Sequence, residues 1–429
     1  MHIFFSGIGG SGIGPLALIA KQAGYEVSGS DKQHSDYVAY LQKQGIDAIH
    51  IGQSKEAIHK LHSKHPIDWY VYSSAVAIEN PNAPELTFCN ENNIKSTKRD
   101  DLINFIIKDK KLKMIAIAGT HGKTTTTAML IWLYKQLDIP ISYSVGAKIS
   151  YGAMGEYNPD SHFFIYEADE YDKNFLAFQP HTSIITGIDW DHPDIYPTRQ
   201  QYQEAFKQFV AQSNHVVMWQ EDAATLKLAQ NKHNFVLDAN DQQIQQIKLT
   251  GLVNRKNAWQ VMHAIHELEN VPTEKLLALI NKFPGLSRRF EQIAPDIYSD
   301  YAHTTEKIRG ALQTAREVAG DNFIVVYEGL HNTRQHFIKK DLAIIFSDVK
   351  KVYVVPSYLA REDPNLPLLT PKDIARIIAP SAPAEAALLN DQLKHTIEKH
   401  LRNGDKVLCL SAGGGGSLDE WLRQQFKKI

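Results

Sequence analysis

Residues 114–130 read MIAIAGTHGKTTTTAML. The apolar run from Met114 to Ala118 suits a buried strand, Gly119 to Gly122 a tight loop, and the stretch from Thr124 onward the first turns of a helix. Strand, glycine loop and helix in that order make a phosphate cradle. Successive loop amides and the helix N-terminus aim unpaired N–H groups at an anion, while Lys123 adds a full positive charge. Thr124 offers its hydroxyl to a magnesium ion accompanying a nucleotide. The spacing is GxxGKT, shorter than the GxxxxGKT of ordinary P-loops.

Upstream, His2 to Phe5 forms a short apolar strand that enters GIGGSGIGPLALIAKQAGYEVSGSD at once. This reads as strand, glycine loop, amphipathic helix, a stop at Gly24 and a second strand, a Rossmann-like unit. Gly7, Gly9, Gly10 and Gly12 let the backbone approach a diphosphate, and Asp31 stands where an acidic residue meets a ribose hydroxyl. Further on, WYVYSSAVAIENP (Trp69 to Pro81) runs a strand into a loop holding Ser73, Ser74 and Asn80, and such strand ends are where open α/β sheets bind ligands. The charged stretch Lys108 to Lys113 separates this unit from the cradle.

Downstream, strands and helices alternate through His162–Asp172, Thr182–Tyr196, the helix Arg199–Ala211 and His215–Asp222, which predicts a mostly parallel sheet covered on both faces. HFFIYEADEYD places Glu167, Asp169, Glu170 and Asp172 at a strand end, where a magnesium ligand beside Thr124 belongs. IITGIDWDHPDIY ends likewise in Asp189, Asp191 and His192. Two strands ending in metal-type ligands point to a bound cation. After a helix over Asn254–Leu268, the basic turn FPGLSRRFE (Phe283 to Glu291) marks a second boundary, where Arg288 and Arg289 are placed to clamp a phosphate. A third α/β unit follows, with strands near Ile297–Tyr301, Phe323–Tyr327, Val349–Val355 and Lys406–Leu410. In it SDYAHTT sets Asp300 and His303 to orient an attacking amine or take its proton. Thr304 and Thr305 read better as helix caps. The run Gly413 to Gly416 is equally a ligand-facing loop or a flexible turn.

The chain as a whole sets limits. Its 429 residues, 43% hydrophobic and 22% charged, suffice for two or three globular domains. A formal charge of -2 leaves no electrostatic footprint for nucleic acid or an anionic membrane. Cys89 and Cys409 lie too far apart in sequence for metal spacing and read as reduced thiols. No apolar run approaches a membrane span, and MHIFFSGIGGSG lacks the basic start of a signal peptide, so a cytoplasmic protein is expected.

AGTHGKTTTTAM, EADE, IDWDHPDIY, GLVNRKNA, SRRFE and SDYAHTT, in this order, resemble the Mur ligases, the ATP-dependent amide-forming enzymes of peptidoglycan precursor synthesis. The resemblance covers essentially the whole chain. It implies three α/β domains: a Rossmann-like UDP-sugar domain over 1–108, a central P-loop parallel-sheet domain for ATP over 109–285, and a Rossmann-like amino-acid domain over 286–429. GIGGSGIGPLA with GYEVSGSD is similar to members that act on UDP-N-acetylmuramate, joining it to L-alanine or, alternatively, to a preformed peptide. The implied ATP set is Gly119, Thr120, His121, Gly122, Lys123, Thr124, Thr125, Asn254, Asn257 and Arg289, with magnesium on Thr124, Glu167 and His192. The implied catalytic set is Lys123, His192, Arg289, Asp300 and His303. The UDP-sugar would lie on Gly7, Gly9, Gly10, Ser11, Gly12, Asp31, Ser73 and Ser74. Activation of the muramic carboxylate as an acyl phosphate, then amine attack, is the implied chemistry, in a monomer or weak homodimer. The chain departs from the family pattern at Val253, Gly187 and Asp189, and YEGLHNTRQHF matches the third-domain pattern only loosely, through Arg334. Two other readings compete: a dinucleotide-dependent oxidoreductase, from GIGGSG and Asp31, and a non-catalytic nucleotide-binding protein, from the departures.

Overall fold

The computed structural model describes the chain except residues 74, 75, 77–79, 81, 193, 194, 229–232, 360, 361, 412–415 and 427–429. Ser74 and most of the run Gly413 to Gly416 therefore lie outside the described residues. Three sheets organise the rest. In the first, β1 (His2–Ser6), β2 (Glu26–Asp31), β3 (Ile49–Ile51), β4 (Trp69–Tyr72) and β5 (Lys95–Lys98) run parallel in the order β3-β2-β1-β4-β5. The strand order reverses beside β1, so the glycine loop after β1 emerges at the switch point where such sheets bind ligands.

The second sheet contains β6 (Lys113–Ala118), β7 (Ser142–Ser144), β8 (Gly155–Glu156), β9 (Phe163–Glu167), β10 (Thr182–Ile185), β11 (His215–Trp219) and β12 (Asn234–Leu237), in the order β12-β11-β10-β6-β9-β7-β8. Its pairings are parallel except that of β7 with the edge strand β8. Central β6 lies between β9 and β10. The registers Ile117↔Glu167 and Ile185↔Ala118 bring the cradle loop, EADE and the segment after Ile185 out at one end. The predicted helix Arg199–Ala211 forms with those bounds, capped by Thr198, whose hydroxyl accepts from Gln201 N–H while Gln201 answers in kind.

The third sheet holds β13 (Glu291–Ala294), β14 (Ile297–Asp300), β15 (Phe323–Leu330), β16 (Val352–Tyr358), β17 (Ala384–Ala386) and β18 (Lys406–Leu410), in the order β13-β14-β18-β15-β16-β17. The antiparallel hairpin β13–β14 was not anticipated from sequence. β15 is buried over all eight residues, as a strand covered on both faces is, and its first five, Phe323 to Tyr327, are a continuous apolar run. Its Phe323, Val325 and Tyr327 enter one core and Ile324 and Val326 the other.

The first two sheets form one compact unit, Met1–Ile247 with Asn257–Phe283, whose main core runs continuously from Ile3 and Phe5 through Phe206 to Met218. The second unit is Lys248–Lys256 with Pro284–Ile429. The helix Leu252–Glu269 thus contributes its first turn to one unit and the remainder to the other. Among the described residues, no helix is long and apolar enough to cross a membrane.

Candidate functional site

The cradle is built as its sequence requires. Gly119 takes φ +142° and Gly122 φ +79°, both in the region that favours glycine. A side chain on Gly119 would strike the Thr186 hydroxyl, and one on Gly122 would come within 3.0 Å of the Asn257 amide. The helix Lys123–Gln136 begins at once with Gly122 as its N-cap. The loop is moored to the chain after β10: Thr120 N–H donates to Gly187 O at 2.9 Å, Thr120 Oγ1 to Asp189 O at 2.6 Å, and the Thr186 hydroxyl to His121 O. Thr120 Oγ1 also lies 2.8 Å from the Tyr202 hydroxyl.

Lys123 Nζ donates to Gly119 O at 2.7 Å and to Glu170 at 2.5 Å. Glu170 is 1% exposed. Burial works against both charges, yet each partner outweighs it: Lys123 is held above its usual range by Glu170, with Asp169 and Glu167 adding to the effect. Glu170 is held down at about 2 by Lys123 and His192. Its second oxygen makes no hydrogen bond among the described residues, and His192 Nε2 stands 3.7 Å away. Thr124 Oγ1 donates to Glu167 at 2.8 Å, so hydroxyl and carboxylate converge where they were expected. His192, at φ +55°, is set instead beside Glu170 and Asp191, each 3.7 Å from its ring nitrogen. Among the described residues no three acidic, histidine or cysteine side chains gather as a metal cage. A carboxylate beside a threonine hydroxyl nonetheless fits magnesium, which takes one or two protein oxygens and completes its shell with phosphate and water.

The departures from the family pattern have a local cause. Gly187 sits at φ +151°, and a Cβ there would lie 2.5 Å from a carbon of the His121 ring. The ring covers that space, and its Nε2 pairs with Asp189 Oδ2 at 2.9 Å. Asn257, buried against Gly122, lies at the loop in the first unit. Asn254 belongs to the second unit and donates to Thr250 O at 2.8 Å. Val253 is exposed in the same first turn.

At the loop after β1, Gly7 N–H and Ile8 N–H donate to Ser30 O, and Gly9 N–H to Asp31 Oδ2 at 2.8 Å. Asp31 also accepts from Gln33 N–H at 3.3 Å, so it braces the loop with the oxygens expected to meet a ribose. Gly10 N–H closes a turn on Gly7 O. Ser73 follows β4 directly. Beneath the loop is a polar cluster that sequence reasoning missed: buried Glu85 accepts from the Ser6 hydroxyl at 2.9 Å, and Ser6 accepts from Gln53 at 2.8 Å. Burial raises the Glu85 carboxyl above its usual range.

In the second unit, Arg288 (φ +60°) and Arg289 place their guanidinium carbons 4.9 and 5.5 Å from the Tyr301 ring centre. Asp300 Oδ2 accepts from Phe290 N–H at 2.8 Å and so fixes the turn carrying both arginines. Burial pushes the Asp300 carboxyl up to about 6 against the opposing pull of Arg289. Burial, with Lys307, Arg334 and Arg289 nearby, keeps the His303 imidazole well below its ordinary range. His303 Nδ1 lies 3.1 Å from Tyr301 O, a contact suited to Nδ1–H donation and hence an unprotonated Nε2. The four residues named from sequence are therefore one cluster, joined by Lys307 and Arg334.

A glycine loop between a buried parallel strand and a helix, with lysine and threonine aimed at carboxylates of the next strand, defines a P-loop-type α/β protein. Comparison with known proteins narrows the class. The chain matches the Mur ligase family catalytic domain over residues 2–111, the Mur ligase middle domain over 117–273 and the Mur ligase glutamate ligase domain over 288–413. The UDP-N-acetylmuramate–L-alanine ligase of Lactobacillus acidophilus is 31% identical over 85% of this chain and 86% of its own. That of Clostridium perfringens is 26% identical over 96% and 95%. Among solved structures, the UDP-N-acetylmuramate–alanine ligase MurC of Thermotoga maritima shares the fold with a TM-score of 0.76 at 24% identity, covering 99% of this chain and 98% of its own. The murein peptide ligase of Psychrobacter arcticus does so at 0.63 and 20%, covering 100% and 99%. The chain belongs to the Mur ligase family, and it is a ligase of three α/β domains.

Proposed function

We propose that this ligase uses ATP and magnesium to join the carboxylate of UDP-N-acetylmuramate to L-alanine in peptidoglycan precursor synthesis. The observation that carries the reading is the convergence of Lys123, Thr124, Glu167 and Glu170 at one glycine loop; the names of its relatives supply the substrates. The functional domains would be 1–108 for the UDP-sugar, 109–285 for ATP and 286–429 for the amino acid. Gly119 to Thr125 would cradle the phosphates, with Asn257 backing the loop and Asn254 toward the base. Lys123 would exchange Glu170 for a phosphate oxygen and follow the charge as the phosphoryl group moves. Thr124 and Glu167 would hold one magnesium and His192 a second, supplying electrostatic stabilisation of the moving charge.

An amide cannot form from a carboxylate at neutral pH without activation, and phosphorylation turns the poor leaving oxygen into phosphate. Arg289 suits the transferred phosphoryl group. In the same cluster, a carboxyl at Asp300 and a neutral His303 suit the ammonium of the incoming amino acid, His303 Nε2 being placed to accept its proton. ADP release should require UDP-N-acetylmuramate, magnesium and one amine from a panel of amino acids and peptides. Release independent of the UDP-sugar would defeat the proposal. Turnover with a tripeptide but not L-alanine would move the chain to the peptide-adding branch.

A further inference from the structure

The glycine loop after β1 and the strand end after β5 meet at a group that nothing above employs. Ser11 and Gly12 N–H find no acceptor among the described residues, although Gly7 to Gly10 and Ile13 to Gly14 are all engaged. Against them lies Arg99, the first residue of the helix Arg99–Asp109, which β5 delivers to this end of the sheet. A Cβ on Gly12 would meet the tip of its guanidinium, which would then have to shift away from the loop. The arginine side chain is 20% exposed, with Asp100 at 3.7 Å and Asp169 at 3.9 Å. Both carboxylates lie outside hydrogen-bond distance, and Arg99 makes no hydrogen bond among the described residues. A guanidinium that is four-fifths covered, loosely ion-paired and without a hydrogen bond among the described residues keeps its donors available to another acceptor.

We propose that Arg99 completes the anion site of this loop, binding one phosphate of a nucleoside diphosphate through both arms of its fork while Ser11 and Gly12 N–H bind the same group from the other side. This rests on the reading that the first loop receives the UDP part of the sugar. The fork matches a phosphate edge, which a single ammonium does not. Asp100 and Asp169 orient the arm without occupying its donors.

Calorimetric titration of the full chain with UDP and with uridine tests the assignment. R99A is expected to weaken UDP about 30- to 100-fold, the scale of losing one or two charge-assisted hydrogen bonds, and to leave uridine affinity unchanged. R99K should recover only part of the loss. G12A, which keeps the arginine and fills its space, should weaken UDP as well and carries the test with R99K if R99A does not fold. Unchanged UDP affinity in R99A overturns the proposal, as does an equal loss for UDP and uridine, which would mark Arg99 as structural. Full recovery in R99K overturns the two-armed contact. A wild-type chain that binds no UDP at all defeats the reading of the loop itself, and the proposal with it.

Discussion

The two glycine loops of the first unit sit at equivalent places, each after the first strand of its sheet and before a helix, but they are finished differently. At Gly119–Gly122 the polar groups named above are engaged within the protein: Thr120 bonds across to Gly187, Asp189 and Tyr202, and Lys123 is neutralised by a buried Glu170. Among the described residues, two N–H groups and a guanidinium at Gly7–Gly12 have no hydrogen-bond acceptor, and at the cradle the N–H groups of His121 to Thr125 have none either. An anion at either loop would meet free amide donors, but at the second it would also have to displace an internal carboxylate from Lys123. The second design protects a buried lysine in the unliganded protein and makes binding an exchange of partners.

The comparison breaks most sharply at Lys123. K123A leaves the buried Glu170 with only His192 beside it, at 3.7 Å, and removes the cation proposed for the phosphate, and we expect ligase turnover to fall on the order of 1000-fold, read as amine-dependent ADP release. Retention of full rate would mean that the loop does not serve the reaction. E170Q sharpens the contrast: with its internal anion gone, the cradle should resemble the first loop. Nucleotide binding without metal should tighten by about five- to tenfold, about 1 kcal/mol, measured with a fluorescent ATP analogue. Unchanged or weaker binding would show that Glu170 does not compete with phosphate.

Stability gives smaller effects. Asp222, which accepts from Ile188 N–H at 3.0 Å beside the moored loop, is pushed up to about 6 by burial. The folded state then holds a proton that the unfolded chain has released, so stability falls as pH rises from about 4 to about 6 and is flat beyond. D222N should stabilise the protein at pH 8 by about 3 kcal/mol and leave it unchanged near pH 4, in thermal melts across that range. In the second unit, Arg255 and Glu317 pair at 2.7 Å, and Glu317 is held at about 2, chiefly by that hydrogen bond. Its contribution is present above the unfolded pKa and lost as pH falls toward 2. E317Q should cost about 1 kcal/mol at pH 7 and nothing in strong acid.

What was legible in the sequence was whatever a short contiguous signature specifies. The cradle, the helix Arg199–Ala211 and the pairing of Thr124 with Glu167 follow from local patterns whose geometry leaves few options. Four carboxylates in six residues do not reveal which one turns inward, so Glu170 was not ranked above its neighbours. Asn254 and Asn257 are three residues apart on one helix, yet a boundary between compact units falls between them, and no periodicity records that. The turn before β13 rests on positive φ at Arg288 and Phe290, residues that do not announce it. Arg99 lies in a plain charged run, KRDD, and only the crossover to β5 carries it to a loop almost ninety positions earlier.

The His121 ring over Gly187 also bears on how this sequence can drift. Position 187 cannot acquire a side chain while the imidazole fills that space, and a smaller residue at 121 would strip Asp189 of its 2.9 Å partner. The three positions therefore change in a preferred order, with 121 first. A homologue that carries a bulky residue at the counterpart of 187 should be one in which the counterpart of His121 has turned away or been replaced.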